Sequence, residues 1–329
     1  METLQSLQKT PGPDSSRQSA FLRAILVASA LLIGSLFVSA GLEFTIAPDQ
    51  KIPVHQVAAA ASARETSSQF QNISLEAKAA YVSDLSTGKV LYERSADTQL
   101  PLASITKVPL VLIISEVLAV SDTVIISRDA VIRGEGGGLG TGDTWRIKDL
   151  IDFTLLASSN AGAEALADAA NEKLRAKYPG APETHSAVWR MNELAKDLGL
   201  TRTYFLNPSG LDASGTQPGA VSSARDVATL FTYASRAAPE LFDSTVRGGL
   251  SLGPLNGKPK PALNTNEALP DIPGLIMGKT GYTDLAGGNL AIVFEASGHA
   301  IVAVVLGSSR DGRFADMKKI VETVREGPS

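Results

Sequence analysis

"GYTDLAGGNLAIVFEASGHAIVAVVLGSS", residues 281–309, decides the fold. Two apolar, β-branched runs flank Ser297-Gly298-His299, the composition of two strands joined by a turn. A helix is expected after them, through Met317, Ile320, Val321 and Val324. The opposite end of the same region answers this pattern. "AAYVSDLSTGKVLYERSAD", residues 79–97, places two short β-rich runs around Ser86-Thr87-Gly88, a hairpin signal. Between the two ends the pattern is helical, over 104–118, 147–171 and 187–199. Strands at both ends and helices between them predict an α+β domain. Its N- and C-terminal strands are expected to share one antiparallel sheet, packed with a mostly helical middle.

Residues 24–42, "AILVASALLIGSLFVSAGL", carry no charge and as a helix would span about 28 Å, close to the hydrocarbon thickness of a bilayer. Lys9, Arg17 and Arg23 precede the run, and Glu43 and Asp49 follow it. That asymmetry predicts a cytoplasmic tail over 1–23, a transmembrane signal-anchor over 24–42 and an extracytoplasmic remainder. A cleaved signal peptide, with Val38-Ser39-Ala40 at its cleavage site, is the competing reading; the length of the run favours the anchor. Residues 43–71, rich in Ala, Ser, Gln and Pro, read as a flexible tether, and 72–329 as one globular domain.

The absence of cysteine excludes disulfides, thiolate metal sites and cysteine nucleophiles. His55, His185 and His299 lie far apart with no metal-ligand spacing, and their neighbours place them in loops. A net charge of −4 argues against nucleic acid as a partner.

Three short patterns carry chemistry. In "PLASITKVPL", residues 101–110, Ser104 and Lys107 are three apart and share a helical face. A neutral lysine can take the proton of a serine hydroxyl, and the apolar neighbours Leu102, Ile105, Val108 and Leu110 favour the neutral form. Ser-x-x-Lys also occurs at Ser6–Lys9 and Ser86–Lys89, and taken alone the pattern equally describes a lysine snorkelling from a buried helix. Pro109 is expected to distort the first turns. The second pattern, Ser158-Ser159-Asn160, offers hydroxyls and an amide that suit a proton relay or a substrate amide; a helix cap fits the same residues. The third, Lys279-Thr280-Gly281, supplies positive charge, a hydroxyl and a residue small enough for a substrate to lie close to the backbone.

Together, in this order, S-x-x-K, S-x-N and K-T-G resemble the signature of penicillin-binding proteins and class A β-lactamases. The chain is similar to the D-alanyl-D-alanine carboxypeptidases of the low-molecular-mass penicillin-binding proteins over about residues 75–326. "EGGGLGTGD", "MNELAKDLGL", "YFLNPSGLD" and "SSARDVATL" extend the likeness beyond the motifs. The resemblance implies a β-lactamase/DD-peptidase-like fold with no metal or other cofactor. It implies Ser104 as nucleophile, Lys107 as its base and Ser158 as proton relay. Asn160, Lys279, Thr280, Gly281, Tyr282 and Arg313 would bind substrate. The Tyr282 and Ser104 amides would form the oxyanion hole, and Arg313 would approach the terminal carboxylate. The implied partners are a peptidoglycan stem peptide and, as inhibitors, β-lactam antibiotics.

Ser159 stands where many relatives have glycine, and the Gly-rich 134–143 reads as a mobile loop near the site rather than a phosphate loop. Three alternatives remain at this point: a D,D-endopeptidase acting on cross-links, a class A-like β-lactamase, and a non-catalytic anchored wall-binding module. The lactamase lacks support, because no Glu-x-x-Leu-Asn segment lies between 161 and 278, and Glu164 is among the glutamates without that context.

Overall fold

The computed structural model describes residues 68–327. The expected tail, the anchor and most of the tether lie outside the described residues. Among the described residues no helix is long and apolar enough to cross a membrane.

The strands, in chain order, are β1 (Ala79–Asp84), β2 (Val90–Arg94), β3 (Leu100–Pro101), β4 (Thr123–Ile125), β5 (Thr144–Arg146) and β6 (Tyr204–Phe205). They continue with β7 (Ala220–Ser222), β8 (Gly249–Leu252), β9 (Lys260–Leu263), β10 (Leu275–Thr283), β11 (Gly287–Ala296) and β12 (His299–Ser308). The α-helices are α1 (Lys107–Ser115), α2 (Arg128–Arg133), α3 (Ile147–Leu156), α4 (Asn160–Lys177), α5 (Ser186–Asp197), α6 (Ala224–Ala237) and α7 (Gly312–Glu326).

The main sheet has the order β10-β11-β12-β1-β2 and is antiparallel throughout. The first strand therefore enters between the last strand and the second, as the two ends of the sequence predict. Side chains alternate across it. Ala80, Val82, Ile292, Phe294, Ala303 and Val305 pack on one face with Met317, Ile320 and Val321 of α7. Ala79, Tyr81, Ala291, Val293, Val302 and Val304 pack on the other with the helical body. Both faces are covered, which explains why β11 and β12 read as nearly unbroken apolar runs. Ser297 and Gly298, both at positive φ, make the tight turn between them.

Three local results differ from the sequence reading. Ser68–Phe70 forms a 3₁₀ turn, and Phe70, buried, stacks on Tyr92 at 5.2 Å, so the fold takes up the end of the expected tether. The run 104–118 divides into a 3₁₀ segment, Ala103–Thr106, and α1. Pro109 falls in the first turn of α1, where its missing N–H leaves no internal bond unmade. The run 147–171 is two helices, broken where Ser158 takes a left-handed φ of 57° and Ser159 caps α4.

Candidate active site

Helix α1 is apolar on all sides and runs through the core, with Lys107 to Ile114 all buried. Lys107 is 0% exposed, so it does not snorkel to water. Its Nζ lies 2.7 Å from Ser104 Oγ, 2.8 Å from Asn160 Oδ1 and 2.8 Å from the Ser209 carbonyl oxygen. The last two partners only accept. A neutral amine has two N–H bonds and one lone pair. Spending both N–H bonds on Asn160 and Ser209 aims the lone pair at the Ser104 hydroxyl, the arrangement a general base requires.

Burial holds Lys107 well below the ordinary lysine range; the Lys279 charge pushes it further down, and Glu164 opposes. The nucleophile segment is fixed from the sheet. Asn289 Nδ2 of β11 donates to the carbonyls of Pro101 and Leu102 at 3.0 Å each. Ala103 is held at φ 51°, a left-handed conformation rare outside glycine. Non-glycine residues at positive φ thus mark both serine motifs, the residue before Ser104 and Ser158 itself, a strain typical of functional segments.

Lys279, on the edge strand β10, is 2% exposed and donates to Ser158 Oγ at 2.9 Å and to the Thr280 carbonyl at 3.0 Å. Burial, then the charge of Arg313, lowers its pKa to about 7. Arg313, at the start of α7, donates from Nη1 to the Gly281 carbonyl at 2.7 Å, and its buried Nε has no partner. Thr280 Oγ1 meets Thr265 Oγ1 at 2.6 Å. Tyr282 is half-exposed, with the Arg310 and Arg313 guanidinium groups 5.2 and 5.9 Å from its ring centre. The structure thus brings Ser104, Lys107, Ser158, Asn160, Lys279, Thr280, Gly281, Tyr282 and Arg313 to one region.

Gly281 is small for a reason other than the one expected. A Cβ built there would lie 2.6 Å from the Leu102 carbonyl oxygen and 3.2 Å from the Ser104 nitrogen. The protein's own chain, not a substrate, takes up that space, and it keeps the Ser104 and β10 backbones together. Ser159 ties two segments together. Its Oγ accepts from Gly162 N at 3.1 Å and donates to the Gly137 carbonyl at 3.1 Å. The Gly-rich loop is therefore fastened to the second motif. Lys260 and Asn256 of the β8–β9 hairpin hold it from the other side, at the Gly138 and Gly142 carbonyls.

Sequence reasoning did not single out Ser209. Asn207 Oδ1 accepts from Gly210 N at 2.7 Å and Asn207 Nδ2 donates to the Leu211 carbonyl at 2.8 Å, which folds "NPSGL" into the turn that presents the Ser209 carbonyl. The Asn-Pro-x-Gly composition announces a turn but not its neighbour.

A serine beside a buried lysine, a second hydroxyl held by a second buried lysine and an arginine that reaches the same strand from α7 are parts that suit acyl transfer. A family profile described as D-alanyl-D-alanine carboxypeptidase matches residues 63–310. The chain belongs to this family. D-alanyl-D-alanine carboxypeptidase DacF of Bacillus subtilis is 32% identical over 262 residues, covering 77% of this chain and 62% of the relative. The chain thus spans about three fifths of that carboxypeptidase's length. A D-alanyl-D-alanine endopeptidase of Escherichia coli is 27% identical over 290 residues, covering 86% of this chain and 88% of its own. Among solved structures, ampicillin-bound penicillin-binding protein D2 of Listeria monocytogenes is 30% identical with a TM-score of 0.64, covering 77% of this chain and 98% of that one. The fold is that of the penicillin-binding DD-peptidases.

Proposed function

We propose that the protein is a serine D-alanyl-D-alanine carboxypeptidase that removes the terminal D-alanine from peptidoglycan stem pentapeptides. The observation that carries this reading is the Ser104–Lys107 pair, 2.7 Å apart, with the lysine fully buried and its other two contacts made to acceptors. Neutral Lys107 takes the Ser104 proton as Oγ attacks the carbonyl of the penultimate D-alanine. The oxyanion forms against the Ser104 and Tyr282 amides, each worth about 10²–10³ in rate. Ser158, held by Lys279, passes a proton to the leaving amine, and D-alanine departs. Water then releases the tetrapeptide from Ser104. Lys279, Thr280 and Arg313 receive the terminal carboxylate, and Asn160 holds the peptide. A β-lactam, with a strained amide and a carboxylate similarly spaced, acylates the same serine.

The near-complete mutual coverage with the E. coli endopeptidase supports a second reading, in which the bond cut is a D-alanyl cross-link. The uncharged run 24–42 and the basic residues before it support an anchored protein with its site outside the cytoplasm.

The test is intact mass of the full-length protein after exposure to benzylpenicillin, beside Ser104→Ala. One penicilloyl adduct on the parent alone is expected, together with D-alanine release from a pentapeptide. Rapid drug hydrolysis without an adduct refutes the carboxypeptidase in favour of a lactamase; cleavage of cross-linked muropeptides alone selects the endopeptidase.

A further inference from the structure

The threonine of the third motif is held by a residue the acyl-transfer reading does not use. Thr265 Oγ1 meets Thr280 Oγ1 at 2.6 Å, and among the described residues neither hydroxyl has another hydrogen-bond partner. Thr265 lies between β9 and β10, on a short segment fastened on both sides. Asn264 N donates to the Gly248 carbonyl, and Asn264 Nδ2 to the carbonyls of Thr245 and Arg247, each at 2.9 Å. Asn264 Oδ1 accepts from Asn266 N at 2.9 Å, closing the backbone around Thr265. Thr245 Oγ1 accepts in turn from Gly278 N of β10 at 3.2 Å, so the segment and the strand share one support. The Thr265 amide itself donates at 3.1 Å to the carbonyl of Leu156, the last residue of α3 and two before Ser158. One threonine is thus bonded through its backbone to the helix end that leads into Ser158 and through its hydroxyl to the Lys-Thr-Gly motif.

We propose that Thr265 is a positioning residue for carboxylate recognition: its hydroxyl donates to Thr280 Oγ1 and so reserves the Thr280 proton for the terminal carboxylate of the substrate. This rests on the reading of Thr280 as a receiver of that carboxylate.

The direction follows from counting protons. A hydroxyl carries one proton and two lone pairs, whereas an ionised carboxylate only accepts. Two hydroxyls 2.6 Å apart share a single hydrogen bond, so one donates and the other keeps its proton free. If Thr280 donated, it would turn lone pairs toward an arriving carboxylate and repel it. If Thr265 donates, Thr280 accepts from behind and donates forward. A hydroxyl that accepts one bond donates a stronger one, and a bond to a charged acceptor is stronger again. Thr280 is buried and Thr265 half-buried, so water competes little for either place. The Asn264 clamp and the bond to Leu156 fix Thr265 through its backbone, so the donor is in place before a ligand arrives.

The experiment measures the second-order rate of benzylpenicillin acylation for the full-length parent, Thr265→Val, Thr265→Ser, Thr280→Val and Thr265→Val combined with Thr280→Val. Valine keeps the shape of threonine and removes the hydroxyl; serine keeps the hydroxyl. Thr280→Val, which loses the direct bond to the carboxylate, should be slower than the parent by about tenfold or more. Thr265→Val should be slower by about threefold to tenfold, and Thr265→Ser should return to within about twofold of the parent. In the Thr280→Val background, Thr265→Val should alter the rate by less than about twofold, because the proton it directs is gone. A parent rate in Thr265→Val overturns the proposal. So does an equal loss in both backgrounds, which marks a general loosening of the segment, and so does a Thr265→Ser variant as slow as Thr265→Val. If Thr265→Val does not fold, Thr265→Ala carries the same expectations. A parent that takes up no acyl group refutes the serine acyl-transfer reading itself, and a parent rate in Thr280→Val refutes the carboxylate role of Thr280; the proposal falls with either. A slow Thr280→Val beside a Thr265→Val at the parent rate refutes only the proposal.

Discussion

Replacing Lys279 by methionine should remove a specific pH dependence from the stability of the fold. Lys279 is buried, and its pKa falls from 10.5 to about 7. At about 1.4 kcal/mol for each factor of ten, the charged form is disfavoured by about 5 kcal/mol relative to the unfolded chain. The sign is set by linkage. An unfolded lysine keeps its proton to about pH 10.4, whereas native Lys279 loses it near 7. Between those values the unfolded state binds the extra proton, so this group makes the fold more stable as pH rises. From about pH 6 to pH 9 the gain is about 3 kcal/mol. Methionine fills a similar volume and does not titrate. Urea unfolding of parent and Lys279→Met across that interval should therefore show the parent gaining about 3 kcal/mol on the variant. The release of Lys107 from its cationic neighbour acts in the same direction. Acylation by benzylpenicillin should fall in the variant even where it is the more stable protein. Parallel stability curves would refute the claim that buried positive charge at this site opposes folding.

Gly281→Ala should lower stability by about 1–3 kcal/mol, because its Cβ meets the Leu102 carbonyl. It should also slow acylation about 10²-fold by parting the Ser104 amide from β10; thermal melting and stopped-flow acylation check both. Ser159→Ala should cost about 1 kcal/mol through loss of the α4 cap and slow acylation several-fold by freeing the Gly137 carbonyl, with Ser159→Thr restoring most of each.

The sheet was legible because its strands are long, apolar and bounded by turn residues at 86–88 and 297–299. The three motifs were legible because each carries its chemistry within four residues. What the sequence hid is tertiary. Ser209 acts through its carbonyl, which every residue possesses, so no side-chain pattern points to it. The break at 157–159 was half legible: the apolar periodicity runs through it, the helix-cap reading of Ser158-Ser159-Asn160 marks it, and a left-handed φ at Ser158 makes the turn. Gly281 was read for an absent ligand when the backbone of Leu102–Ser104 already occupied the space.

The pairing of β1 with β12 joins residues more than two hundred positions apart in the chain, Ala79 opposite Leu306 at one end of the ladder. A growing chain therefore carries the β1–β2 hairpin with an open edge until nearly the whole domain has emerged. Contacts of such long range make folding slow, and an edge left open invites pairing with another chain. A protein built this way depends, during its making, on whatever shields one strand from its neighbours until the last one arrives.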